Sequence, residues 1–290
     1  MSAPDDLPTD PSDEPPDHAS DRDRPHPHLR LHRDGLVLTV TLDNVPRRNA
    51  QTPSLWRALA SVAASLDPAV RVVVLRGNGP SFSAGLDRGL LSADGVEGEP
   101  DLLALAAAGA EAAEAMIAEF QQGFARWGEV PAVVVASVQG HAIGAGLQLA
   151  LAADLRVVAD DVQLGMRETS LGLVPDLAGT QPLVSLVGLG RALEICATGR
   201  FVGAAEAVAI GLANVAVPAA DLEAATRDLV AGLLSAPNAA LRELKPLLRA
   251  AVGADPGSQL QRERQAQARL LRALAASAVS GRGEDGNAGG

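Results

Sequence analysis

Val133-Val-Val-Ala-Ser-Val-Gln-Gly-His-Ala-Ile-Gly-Ala-Gly-Leu-Gln-Leu-Ala-Leu-Ala-Ala-Asp154 is the stretch on which the reading of this chain turns. After Pro131 it opens as an apolar, β-branched run, breaks at Gly140 and passes through Gly144 and Gly146. Leu147, Ala150 and Leu151 then recur at helical spacing, so the pattern predicts a strand, a glycine turn and a helix. Glycines at such a turn let backbone come close to another group. A helix starting near Ala145 leaves its first N–H groups without intrahelical acceptors and gathers about half a positive charge at that end. An oxyanion fits there. Gln148, one turn along on the same face, is expected to look toward whatever those N–H groups bind. A plainer use, a close-packed joint between strand and helix, accounts for this stretch equally well by itself.

Composition bounds what the stretch can belong to. The chain has 290 residues, 47% of them hydrophobic, enough to bury one large core with a small appendage. A net charge of -11 and a pI near 4.9 come with no basic stripe, which argues against nucleic acid and an anionic membrane surface as partners and leaves a small molecule as the expected ligand. Cys196 is the only cysteine, so there is no intramolecular disulfide or cysteine-based metal cluster, and Leu193 and Ile195 beside it predict a buried thiol. No metal site is expected, since His18, His26 and His28 lie among prolines without metal-ligand spacing. The chain lacks an unbroken apolar run of about 18 residues and a basic-then-apolar N-terminus, so a cytoplasmic protein is expected.

Outward from the central stretch, residues 1–28 hold many Asp, Pro, Ser and Arg and almost nothing apolar, and a disordered tail is expected there. Leu29–His32 and Leu36–Leu42, split by Asp34-Gly35, read as a hairpin. After Arg47-Arg48-Asn49-Ala50 a helix is predicted with Thr52 as cap, Pro53 at its first position and Leu55, Leu59 and Val62 as its buried stripe. Adjacent Arg47 and Arg48 ordinarily make a solvated corner and become cations for a phosphate-bearing ligand only if other ligand-type features converge there. Val70–Arg76 is a buried-strand run, and Gly77-Asn-Gly-Pro-Ser-Phe-Ser-Ala-Gly-Leu-Asp87 is a second glycine-marked turn leading into helix over Leu86–Leu91. If the two corners face each other, the N–H groups of Leu86 and Ala145 make a donor pair for charge developing on a carbonyl oxygen, each typically worth about 3 kcal/mol in the transition state.

Ser92–Pro100 reads as an acidic loop, and Asp101–Trp127 as one long Ala-rich helix capped by Asp101, with Leu102, Leu105, Ala112, Met116, Ile117 and Phe120 facing inward. Leu155–Ala159 reads as a strand. Glu168 and Asp176 then stand among apolar neighbours in a loop that Gly172 and Pro175 can fold back. Burial would raise either pKa toward that of a proton carrier at neutral pH; the plainer roles are a paired or surface Glu168 and an N-capping Asp176. Amphipathic helices over 221–234, 238–251 and 259–276 suit an oligomer interface, and a Gly-rich end from Ser280 is expected to fray.

Ser81-Phe-Ser-Ala-Gly-Leu-Asp87, Val138–Asp154 and Glu168–Thr180 with its Gly-Leu-Val-Pro-Asp resemble, in the right order, the enoyl-CoA hydratase/isomerase (crotonase) superfamily, a likeness that runs from about Leu29 to Pro246. The resemblance implies an α/β fold, a crotonase-like spiral of ββα units over 29–220, and a C-terminal helical region over 221–276 that makes trimers, often paired into hexamers, ahead of a disordered tail over 277–290. It implies an acyl-CoA thioester as ligand, with CoA part of the substrate and no separate cofactor. The backbone N–H groups of Leu86 and Ala145 would form the oxyanion hole. CoA contacts would fall on Arg47, Arg48, Ala50, Ala84, Gly85, Asp87 and Gly144, with Lys245 as a phosphate partner.

One departure limits the analogy. Hydratases of the family use two glutamates; the first matches Gln148 and the second Glu168. Glutamine cannot exchange a proton at ordinary pH. Asp176 stands where isomerases of the family use an aspartate. The resemblance therefore implies an enzyme in which Asp176 or Glu168 moves a proton between carbons of an enolate while Gln148 orients substrate or water, with double-bond isomerisation ahead of hydration. Hydration by Glu168 alone and a non-catalytic acyl-CoA carrier are the alternatives.

Overall fold

The computed structural model describes residues 23–92 and 94–284. The tail expected before residue 23 and the chain end past residue 284, His18 included, lie outside the described residues.

Two sheets carry the fold. β1 (Leu29–Asp34) and β2 (Val37–Leu42) form the antiparallel hairpin expected around Asp34-Gly35, with Gly35 at φ 53. β3 (Val72–Gly77), β4 (Val133–Val138), β6 (Leu155–Ala159) and β9 (Val215–Val217) extend it through parallel pairings, in the order β1-β2-β3-β4-β6-β9. A smaller sheet joins β5 (His141–Ile143), β7 (Gln163–Gly165) and β8 (Val202–Gly203) in that order. β5 occupies the glycine turn of the central stretch, where the sequence predicts no strand.

β3, β4 and β6 are buried on both faces, as central parallel strands are, and alternate residues serve different layers. Val73 and Leu75 of β3, with Val134, Ala136 and Val138 of β4, meet a large apolar cluster under α1 (Pro53–Ala64), α3 (Ala110–Glu129) and α4 (Ala145–Ala152). Val72, Val74 and Val135 point the other way, into a smaller cluster that α8 (Leu222–Ser235) covers with Leu222 and Val230. There the hydroxyls of Ser137 and Thr226 satisfy each other at 2.9 Å. Leu55, Leu59 and Val62 of α1 are buried as expected, and Thr52 caps the helix with Pro53 at its first turn.

Several elements differ from expectation for identifiable reasons. Asp101 does cap a helix, its Oδ1 accepting from Ala104 N–H at 2.9 Å, but that helix is only α2 (Leu102–Ala107). Gly109, at φ 124, breaks the run and α3 starts anew behind it. Leu105 stays exposed, and the deep packing falls to Phe120, Phe124 and Trp127. Leu86–Leu91 forms only a 3-10 turn over Arg88–Leu91, opened by the Asp87 side chain. Asp176 caps nothing: α5 (Thr180–Val187) begins behind Gly179 without a side-chain cap. Gly188 separates it from α6 (Leu189–Thr198), and α7 (Ala204–Ala209) follows. The chain ends in α9 (Asn238–Ala251) and α10 (Pro256–Glu284), which continues through the glycines where fraying is expected.

Residues 23–28 also depart from a tail. Leu31 N–H donates to Asp23 O at 2.6 Å, Arg24 pairs with Asp43 at 3.4 Å, and His26 Nε2 meets Ser54 Oγ at 2.9 Å. Polar anchors of this kind leave no trace in a hydropathy pattern. Among the described residues no helix is long and apolar enough to cross a membrane, and no group of His, Cys, Asp and Glu is placed to hold a metal ion.

Candidate active site

The first glycine corner is built by pairing with the segment ahead of α1. Gln51 N–H donates to Gly85 O at 2.8 Å, and Gln51 O accepts from Asp87 N–H at 2.9 Å. Ala84 N–H donates to Arg48 O at 2.8 Å and Gly85 N–H to Ser83 Oγ at 3.1 Å. Leu86 sits in the middle of these bonds, and its own N–H has no acceptor among the described residues.

The second corner is the start of α4. Gly144, at φ 52, turns β5 into the helix, and the first intrahelical bond runs from Gln148 N–H to Gly144 O at 2.9 Å. Ala145, Gly146 and Leu147 thus present N–H groups at the open helix end. Ser83 N–H donates to His141 O at 2.9 Å and Ile143 N–H to Ser83 O at 3.1 Å, which stitches the corners together. The glycines show how tightly: a Cβ on Gly85, at φ 85, would lie 2.3 Å from Ile143 O and 3.5 Å from Ala145 N, and one on Gly146 would lie 2.5 Å from Ser83 O. Leu86 and Ala145 therefore belong to two corners in backbone contact.

Next to this joint lies the Gln148, Glu168 and Asp176 group. Gln148 is buried; its Nε2 donates to Glu168 Oε1 at 2.7 Å, and its Oε1 accepts from Leu177 N–H at 2.8 Å and Gly179 N–H at 3.3 Å. Backbone N–H groups can only donate, so they fix the amide with its oxygen toward them and its nitrogen toward the carboxylate. Ala178, left-handed at φ 62, lies between the two and turns both N–H groups onto one atom. Glu168 opens a 3-10 turn over Glu168–Leu171 and reaches back to Gly144, where a Cβ would stand 3.3 Å from Oε1. Its other oxygen, Oε2, is buried and has no hydrogen-bond partner among the described residues.

Burial pushes the Glu168 carboxyl up from its ordinary value; hydrogen bonds from backbone and from Gln148 oppose this, and the charge of Asp176 adds to the upward push. Burial raises Asp176 as well. Gln121 of α3 donates to Asp176 O at 2.8 Å and holds that loop against the helix. Cys196, half-buried, is also raised by burial, with a smaller contribution from the charge of Glu168.

The other expected ligand residues divide. Arg47 and Asp87 come together, one guanidinium nitrogen donating to both carboxylate oxygens at 2.7 and 2.8 Å, and they clasp the segment ahead of α1 to the Leu86 corner. Arg48 and Asn49 are left-handed at φ 50 and 56, Ala50 is buried behind them, and Ala84 is tied to Arg48 as described. Lys245 is elsewhere. It is buried, and its ammonium donates to Trp127 O at 3.3 Å and Ala132 O at 2.8 Å and pairs with Asp154 at 2.8 Å. Those partners take up all of its donors, so the structure gives it to the docking of α9 and not to a phosphate. Sequence reasoning missed Asn49, Gln51 and Ser83, all buried and all bonded into the Leu86 corner. Single polar residues inside a small-residue loop carry no periodic signal.

Comparison with known proteins agrees with this architecture. The family model described as "Enoyl-CoA hydratase/isomerase" matches residues 32–285. Carnitinyl-CoA dehydratase of Escherichia coli K12 is 35% identical over 228 residues, 76% of this chain and 80% of that protein. Among solved structures, a protein of Thermobifida fusca YX in complex with acetoacetyl-CoA superposes with a TM-score of 0.80 at 48% identity, covering 84% of this chain and 95% of the other. An enoyl-CoA hydratase from Bacillus anthracis gives a TM-score of 0.74 at 27% identity, covering 84% and 91%. With a match over most of its length and a shared fold, this chain belongs to the enoyl-CoA hydratase/isomerase (crotonase) superfamily.

Proposed function

We propose that the protein isomerises a double bond in an acyl-CoA thioester, with the N–H groups of Leu86 and Ala145 holding the thioester oxygen and Glu168 carrying the proton. The observation behind this reading is the state of Gln148: its amide oxygen is held by the Leu177 and Gly179 N–H groups and its nitrogen donates to Glu168, and neither end can take a proton from a water. Hydration asks for a second group that holds a water and takes its proton. Isomerisation asks for one base that takes a proton and returns it. Glu168 Oε2, with no protein partner, is that base.

In the forward sense, Oε2 removes a proton from the carbon next to the thioester carbonyl, and the electron pair moves onto the oxygen between the two N–H donors. The resulting dienolate collapses by taking the same proton at the γ carbon, which moves the double bond into conjugation with the carbonyl. Asp176 raises the basicity of Glu168 through its charge. The acetoacetyl-CoA bound by the Thermobifida fusca protein supports the ligand class. Arg47 and Arg48, with Ala50, Ala84, Gly85, Asp87 and Gly144, line the CoA approach. No cofactor beyond the CoA of the substrate is invoked. The C-terminal helices assemble the chain into trimers or hexamers.

Hydration by Glu168 alone is the second reading, and the names of the relatives favour it. A 3-enoyl-CoA and a 2-enoyl-CoA, incubated separately with the protein, decide between them. Conversion of the 3-enoyl thioester to the 2-enoyl thioester, with little 3-hydroxyacyl product from the latter, is the expected result. Rapid hydration of the 2-enoyl thioester overturns it, and tight binding with no turnover of either makes the protein a carrier.

A further inference from the structure

The N–H of Leu86 owes its direction to bonds made by its neighbours. A peptide unit is planar and trans, so the carbonyl of Gly85 and the N–H of Leu86 point in opposite directions in one rigid plate. Gly85 O is drawn to Gln51 N–H at 2.8 Å, and the opposite edge of the plate, Leu86 N–H, is thereby aimed away from Gln51. The plates on either side are held too, by Gly85 N–H on Ser83 Oγ at 3.1 Å and by Asp87 N–H on Gln51 O at 2.9 Å.

The side chain of Gln51 is locked in turn. Its Oε1 accepts from Trp56 Nε1–H at 2.8 Å and its Nε2 donates to Ser83 Oγ at 2.9 Å, so the amide has one orientation. The Ser83 hydroxyl gives its hydrogen to Asn49 O at 2.7 Å and receives from Gln51 and Gly85, which uses its one donor and both lone pairs. Gln51 and Ser83 are each 0% exposed. Trp56 is wedged between Phe120 and Phe124, with ring centroids at 5.1 and 5.8 Å, so the chain of bonds is rooted in the aromatic core.

We propose that Gln51, Ser83 and the indole N–H of Trp56 are positioning residues for the thioester-oxygen donor at Leu86, because their buried hydrogen-bond chain fixes the Gly85–Leu86 peptide plane. This rests on the reading of that N–H given above. None of the three touches substrate. They act on charge that develops at the oxygen, so their loss lowers kcat and leaves CoA recognition, and with it KM, largely intact.

Trp56→Phe is the mildest probe, since it removes one N–H and keeps an aromatic ring; Ser83→Ala and Gln51→Met cut the chain further along. Each is to be assayed for kcat and KM, and for the carbonyl 13C resonance of a bound saturated acyl-CoA labelled at C1. In the unmodified protein, binding should move that resonance downfield as the donors polarise the carbonyl. In the variants most of the displacement should vanish and kcat should fall about ten- to a hundredfold, the scale at which small misplacements of reacting groups are felt. A folded Trp56→Phe or Ser83→Ala that keeps both the displacement and kcat overturns the proposal, as does a fall in kcat with the displacement intact. No displacement in the unmodified protein instead overturns the oxygen-donor reading itself.

Discussion

Glu168 offers one carboxylate oxygen to Gln148 and keeps the other, Oε2, buried beside the charge of Asp176. As a base it works only when ionised, and its pKa lies above the ordinary 4.5 because burial, joined by Asp176, disfavours the charged form. Activity should therefore be lost as pH falls through a value above 4.5. Asp176→Asn removes a like charge, lowers the Glu168 pKa and should move the acid limb of the kcat/KM profile to lower pH, while Glu168→Gln should abolish that limb and cut kcat at least about a hundredfold. An acid limb that stays in place in Asp176→Asn would disconnect the two carboxylates. A second residue-scale test concerns Lys245, whose buried ammonium is balanced by Asp154 at 2.8 Å. Asp154→Asn removes that balance and should destabilise the fold by about 3 kcal/mol in urea denaturation, the usual cost of leaving one member of a buried pair alone.

At the scale of elements, the joint between the Leu86 corner and α4 depends on atoms that are absent. Gly146→Ala would put a methyl 2.5 Å from Ser83 O, and backbone cannot yield there without separating the corners. We expect that variant to stay folded, to lose about 1–3 kcal/mol of stability from overpacking, and to lose nearly all turnover; full activity would mean that the corners need not touch. This joint was legible in the sequence because glycines at Gly85, Gly144 and Gly146 mark close approach without any need to know what approaches. Glu168 and Asp176 were legible as acids among apolar neighbours. What stayed hidden was of another kind. Gln51 and Ser83 act through single hydrogen bonds to a distant loop, and Lys245 looked free because the carbonyls that hold it come from residues more than a hundred positions away. The break at Gly109 was hidden for a local reason, since a helix tolerates one glycine in an Ala-rich run at a cost of only about 1 kcal/mol against alanine.

For the molecule as a whole, α9 and α10 leave apolar surface uncovered. Leu244, Leu248 and Val252, at successive four-residue steps on and just past α9, are 44%, 59% and 56% exposed, and Leu260, Leu271 and Leu274 of α10 are exposed with them. If these faces join copies of the chain, light scattering should give three or six times the 29.6 kDa chain mass, and Leu248→Glu should shift it toward that of the single chain; an unmodified protein that scatters as one chain would refute the assembly. The same packing that builds the body keeps Glu168 Oε2 out of contact with solvent. A hydrogen lifted onto that atom has nowhere to wash out before the dienolate takes it back. Turnover in heavy water should then yield product in which a large share of molecules carry ordinary hydrogen, migrated across the same face of the chain, at the γ carbon, whereas a reaction that draws its proton from the bulk would deliver deuterium there every time.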